Sequence, residues 1–99
     1  MSDLYVIATL VARPDKADRL REMLTDALDR FRAEDGCLLY EAHEDVDRPG
    51  RFLTYERWRD RAALDAHMQT PLMQSLAPEL AEVLAEELKQ DFLDAPLTA

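Results

Sequence analysis

Ninety-nine residues, 47% hydrophobic and 33% charged, make one domain spanning 1–99 with a single core, and only two glycines argue against linkers, collagen-like repeats or disorder. Twelve Lys and Arg against 21 Asp and Glu give a formal charge of −9, which repels phosphate backbones and anionic lipid, so nucleic acid and membrane surfaces are excluded as partners. Cys37 is the only cysteine, which excludes an internal disulfide and a cysteine-built zinc site; Met1-Ser2-Asp3 lacks the basic flank of a signal peptide and no apolar run approaches a membrane span, so a cytoplasmic setting is expected.

Leu4 to Ala12 (LYVIATLVA) is almost continuously apolar and rich in β-branched residues, which predicts a central strand buried on both faces. After Pro14, the apolar residues Ala17, Leu20, Met23, Leu24, Ala27, Leu28 and Phe31 recur at helical spacing, predicting an amphipathic helix over 15–33 that Asp35-Gly36 stops. Cys37–Glu44 and Arg51–Trp58 are strand-length runs joined by a loop carrying Pro49-Gly50, an antiparallel hairpin. Asp60 is placed to cap a short helix through about Gln69, and Thr70-Pro71 starts a second, with Thr as N-cap and Pro at the first helical position. Its apolar stripe runs to about residue 85, with Pro78 expected to bend or interrupt it; a last strand over Glu86–Leu93 precedes a loose tail.

The order strand, helix, strand, strand, helix, strand is the α+β, ferredoxin-like split βαβ arrangement, an antiparallel sheet with helices on one face. The opposite face carries Leu53, Tyr55, Tyr5, Ile7 and Val11, too apolar to stay wet, and a homodimer through that sheet face is expected.

Chemistry-bearing residues gather at one strand-to-helix corner. Alternation puts Glu56 on the same face as Trp58, Thr54 and Phe52, and the helix after Asp60 carries His67 back over them. Imidazole titrates near neutral pH, so His67 can act as a base, with Glu56 its expected partner and Trp58 an apolar wall. Each also has a purely structural explanation: a satisfied core histidine, a surface ion pair, a core indole. Tyr40 either donates into the same space or packs at the sheet interface. His43, among Glu41, Glu44 and Asp45, is expected in a solvated ion pair; Cys37 is a small buried hydrophobe and Met23, Met68 and Met73 are core stripe residues. With no Gly-rich phosphate loop, and two histidines 24 positions apart, neither a tightly bound cofactor nor a metal is expected.

The run Glu34-x-Gly36-Cys37-Leu38-x-Tyr40, then Phe52 and Glu56-x-Trp58-x-Asp60-x-x-Ala63-Leu64-x-x-His67 ending near Pro71, resembles the antibiotic biosynthesis monooxygenase family of dimeric α+β barrel proteins. The resemblance implies a cofactor-independent monooxygenase that oxidises a small quinol or polycyclic phenol with O2. It implies catalytic roles for His67, Glu56 and Trp58, a substrate pocket including Thr54, Tyr40 and Phe52, and a small aromatic or quinol-like ligand. Trp58 matches the family's pocket Trp, and His67 lies close to the histidine that ligates iron in haem-degrading members. Better understood members use an Asn side chain to position substrate or oxygen; this chain has no Asn, with Thr54 at one such position and Ala8 and Thr9 near the other. A Thr hydroxyl does not copy an amide's two-atom geometry. The alternative on the same fold is therefore a non-oxidative isomerase or tautomerase, or a protein that binds a small apolar ligand.

Overall fold

The computed structural model describes residues 3–98; Met1 and Ser2, part of the N-terminal segment considered above, and Ala99, the last residue of the tail, lie outside the described residues. The elements are β1 (Leu4–Val11), α1 (Ala17–Arg32), β2 (Cys37–Glu44), β3 (Arg51–Trp58), α2 (Arg61–Met68), α3 (Pro71–Val83) and β4 (Lys89–Leu93). The strands form one sheet in the order β2-β3-β1-β4 with every neighbour antiparallel, the ferredoxin-like α+β arrangement expected.

The split βαβ order follows from the apolar β1 lying between β3 and β4. Its even-numbered residues Val6, Ala8 and Leu10 face the helices and are buried, while Tyr5, Ile7 and Val11 face the other way and stay half-buried in the single chain. Helix α1 buries Leu20, Met23, Ala27 and Phe31, spaced three or four apart, against this face. It begins at Ala17 rather than residue 15, because the chain first makes a turn in which the Lys16 N–H donates to the Arg13 carbonyl at 2.9 Å, leaving Lys16 as an N-cap with non-helical backbone and no side-chain acceptor.

Both later caps form as their sequences dictate. Asp60 accepts from the Ala63 N–H at 2.8 Å, and Thr70 Oγ1 accepts from the Met73 N–H at 3.2 Å. Pro78 does not interrupt α3. It forfeits one helical hydrogen bond to the Gln74 carbonyl, but both residues are exposed, so water can take that carbonyl.

Two irregularities shape the site. β2 carries a bulge at Leu38, so Cys37 pairs with Trp58 while Leu39 pairs with Arg57, and the register thereafter sets Tyr40 opposite Glu56 on the helix side. Gly36 adopts φ +85°, and a Cβ there would stand 2.6 Å from the Ala63 Cβ; only glycine lets the end of α1 approach α2 so closely. The last strand is shorter than the expected Glu86–Leu93. β1 pairs with β4 only as far as Thr9 opposite Lys89, and Ala12 bridges Leu84 instead, leaving 85–88 as a connecting loop.

Candidate functional site

Three elements converge on the helix side of β3. Thr54, Glu56 and Trp58 alternate inward along it, Tyr40 lies beside Glu56 on β2, and α2 turns His67 onto them because Ala63, Leu64 and His67 form its buried stripe. Glu56, Thr54 and His67 are the buried polar side chains of the described residues, at 2%, 2% and 3% exposure, and none of their buried side-chain oxygens or nitrogens is left unpartnered. Such groups persist in a core only when hydrogen-bonded.

The partners differ from those expected for His67 and Glu56. Glu56 does not pair with His67: its Oε2 accepts from the Thr54 hydroxyl at 2.6 Å and its Oε1 from the Trp58 indole N–H at 2.8 Å. Neighbours two apart on one strand face reach the same carboxylate, so local geometry satisfies it first. His67 Nδ1 instead lies 2.9 Å from Oε1 of Glu34, which follows the end of α1. An ionised carboxylate only accepts, so Nδ1 is the donor of this pair, and Nε2 is the nitrogen that can offer a lone pair when the ring carries a single proton. His67 lines both an inner cavity and a shallow surface pocket shared with Glu34. With Nδ1 turned to Glu34, Nε2 is the nitrogen left to serve the cavity.

Aromatic packing fixes the imidazole. Its ring lies edge-on to Phe31 at 4.7 Å, 4.8 Å from Trp58 and 5.9 Å from Tyr40. Trp58 is fully buried and stands behind Tyr40 and His67; it is not among the cavity-lining residues, so it orients the site rather than walling the space. Phe52 is also displaced from its expected place. It belongs to the core around Leu10 and Leu20 at the far end of β3, covered by the Arg21 guanidinium 5.6 Å from its ring, and does not reach the cavity. The sheet register separates it from Trp58 by nearly the length of the strand.

The cavity is apolar, floored by Ala8 and Leu10 and roofed by Met23, Met73 and Leu76, with Tyr40, Thr54, Glu56 and His67 supplying polar groups at one side. It holds about 50 Å³, room for water but not for an aromatic ligand, since ligand sites usually measure roughly 300–1,000 Å³. Met68, Met73, Leu80 and Leu88 line both this cavity and an outer groove of about 420 Å³. These side chains are the partition, and unbranched methionines change rotamer at small cost.

Burial, and then the charge of Glu56, raises the Tyr40 hydroxyl far above the usual tyrosine value, with the Thr54 hydroxyl partly opposing them. Tyr40 therefore remains a neutral phenol and a hydrogen-bond donor, and of its two expected places it takes the cavity side. Burial also raises the Cys37 thiol, helped by the charges of Glu34 and Glu56, which keeps it protonated; it is half-buried at the core margin rather than fully enclosed. His43 lies on the exposed side of β2, 3.4 Å from Glu41, as expected. Among the described residues no three His, Cys, Asp or Glu side chains converge on a metal position, and no helix is long and apolar enough to cross a membrane.

Glu34 is the member that residue spacing did not single out as a partner. One signal was available: a carboxylate just beyond a helix C-terminus meets the negative end of the dipole, unfavourable by about 0.3–1 kcal/mol, and is better placed if a donor or cation faces it. His67, in the last turn of α2, is that donor.

Comparison with known proteins gives the family and the fold. The profile of the family described as Antibiotic biosynthesis monooxygenase matches residues 3–79, which include the whole run from Glu34 to Pro71. The chain is 36% identical over 96 residues to "Putative monooxygenase Rv0793" of Mycobacterium tuberculosis, covering 97% of this chain and 93% of that one. The solved structure of Rv0793 superposes with a TM-score of 0.89 over 99% of this chain and 98% of its own. PA3566 from Pseudomonas aeruginosa, 33% identical, superposes with a TM-score of 0.90 over 97% and 96%. An uncharacterised Synechocystis protein, sll1783, is 32% identical over 83 residues, which are 84% of this chain but 56% of that protein, so the chain spans about half the length of this relative. By profile, relatives and fold together, the chain belongs to the antibiotic biosynthesis monooxygenase family.

Proposed function

We propose that this protein is a cofactor-independent monooxygenase for a small quinol or fused-ring phenol, with His67 as general base. The observation that carries the reading is the 2.9 Å His67–Glu34 contact at the polar side of an otherwise apolar cavity, beside a tyrosine that stays neutral. His67 Nε2 removes the phenolic proton and Glu34 stabilises the imidazolium through Nδ1. Tyr40 donates to the oxygen on which negative charge develops. Glu56 holds Thr54 and Trp58 in place, and Trp58 holds His67, so both are positioning residues.

The deprotonated quinol transfers one electron to O2, and the ring radical and superoxide combine at a ring carbon to give a peroxide. The O–O bond then breaks with loss of water, assisted by the proton on His67, leaving one oxygen atom on the ring. Quinol plus O2 thus becomes hydroxyquinone plus water, with electrons and protons balanced and the protein contributing orientation and exclusion of water. Admitting the substrate requires Met68, Met73 and Leu88 to swing toward the outer groove.

The active unit in this reading is a homodimer. In the single chain, Leu53 on the helix-free face is only half-buried, and Tyr55 and Leu93 are 37% and 41% exposed, an apolar surface suited to a second copy. The test of function is oxygen uptake by metal-stripped protein across quinols and hydroxynaphthalenes. Uptake above autoxidation that His67→Ala reduces by roughly 10²–10⁴-fold supports the proposal. A trace at the autoxidation baseline for every compound refutes it.

A further inference from the structure

Five polar side chains line the cavity, and four of them, Tyr40, Thr54, Glu56 and His67, come from β2, β3 and α2. The fifth is Gln90, on the other side of β1. Ala8 pairs with Thr54 on one flank and with Gln90 on the other, so the three lie in one row across the sheet. With strands about 4.8 Å apart, Thr54 and Gln90 are separated by roughly 10 Å of floor, and the Cβ of Ala8 is the only side-chain atom of the residue between them. Gln90 alternates with outward-facing Lys89 and Asp91, which are opposite Thr9 and Ile7. Its amide makes one weak contact, Nε2 to the Met68 sulfur at 3.9 Å. A side-chain amide both donates and accepts, and a thioether is a poor partner for it. Gln90 is thus a cavity-lining polar side chain without a strong protein partner, set against leucine and methionine.

We propose that Gln90 binds the far oxygen of the substrate, so that the site takes an apolar ring system with oxygen functions at both ends, a para-dihydroxyarene rather than a monophenol. One hydroxyl meets His67 Nε2 and Tyr40; the other meets the Gln90 amide, which gives up Met68 as that side chain swings outward to admit the ring. The amide accepts from this hydroxyl in the reduced ligand and donates to the carbonyl oxygen of the oxidised one, so it serves substrate and product alike. This inference rests on the quinol reading of the same cavity, but its test does not depend on turnover.

The chain has a single tryptophan, Trp58, packed against His67 and Tyr40, so its fluorescence reports occupancy of the cavity. Full-length protein is titrated without oxygen against naphthohydroquinone and against naphthol, which share a ring system and differ by one hydroxyl. Wild type is expected to bind the diol roughly tenfold more tightly, the worth of one added hydrogen bond. Gln90→Leu, close in size and apolar, is expected to keep naphthol affinity and lose the preference. Equal wild-type affinities, binding of neither compound, or a preference that survives in Gln90→Leu each overturn the assignment. The wild-type comparison needs no variant, so a folding defect in Gln90→Leu leaves the proposal testable. Oxygen uptake is read separately: a preserved preference without uptake removes the oxygenase reading and keeps the two-ended site, and uptake without any preference removes Gln90 alone.

Discussion

Replacing Thr54 by Val deletes one hydroxyl and preserves the side chain's shape. That hydroxyl is 2.6 Å from a Glu56 carboxylate that is 2% exposed, makes no ion pair among the described residues and has the Trp58 indole as its other donor. A hydrogen bond to a charged group contributes about 1.5–3 kcal/mol, and here the acceptor left behind is buried, so Thr54→Val is expected to cost about 2 kcal/mol. For a domain of this size that corresponds to a fall in melting temperature on the order of 10 °C. The cost belongs to the charge on Glu56, so it should shrink to about 1 kcal/mol or less when Thr54→Val is made in a Glu56→Gln background. Chemical denaturation followed by circular dichroism, at one fixed protomer concentration because association shifts apparent stability, gives the four corners of the cycle. A Thr54→Val cost below about 0.5 kcal/mol, or the same cost in both backgrounds, would refute a buried carboxylate held by Thr54.

Glu34→Gln keeps an acceptor for His67 Nδ1 but removes the charge that stabilises the imidazolium; kcat should fall roughly tenfold with KM little changed, and a fall in KM-limited binding alone would contradict the dyad. The Gly50 N–H and then Arg21 hold the Glu44 carboxyl below its ordinary value of 4.5, and the Asp47 N–H and then Arg51 do the same for Asp45. A lowered native value means stability that is present above the ordinary value and lost as pH falls through the native one, so denaturation midpoints should decline below pH 4.5, and Glu44→Gln should flatten that decline. An unchanged acid slope in the variant would show that the β2–β3 loop does not depend on it. Leu53→Asp places a charge in the helix-free sheet face and should convert a dimer to monomer in sedimentation analysis; an unaltered dimer would move the interface elsewhere.

Wherever the controlling interactions are local, the sequence is a reliable guide to this fold. Asp60 and Thr70-Pro71 start helices because a cap needs only the next three residues, and the apolar continuity of Leu4–Val11 alone marks the central strand. What was not legible depends on register or on distant contacts. The bulge at Leu38 leaves no composition signal, yet it shifts the pairing register at the start of the strand that carries Tyr40. The Glu34–His67 contact joins residues 33 apart and exists because Gly36 lets two chain segments meet. Alternation gives Glu56, Thr54 and Trp58 one face, but it carries no information on depth along the strand, so it groups Phe52 with a cavity that Phe52 does not reach. Gln90 is not legible for a similar reason: its partner in the row, Ala8, pairs with it across a sheet order that the sequence alone does not number.

Supplying isotopically heavy dioxygen to the metal-stripped protein with naphthohydroquinone, and weighing the product by mass spectrometry, tests the central claim most directly. A His67-driven, cofactor-independent monooxygenation predicts one heavy oxygen atom in the hydroxyquinone and the other in water, with labelling abolished in His67→Ala. An unlabelled quinone accompanied by hydrogen peroxide, or labelling that His67→Ala leaves intact, would contradict it.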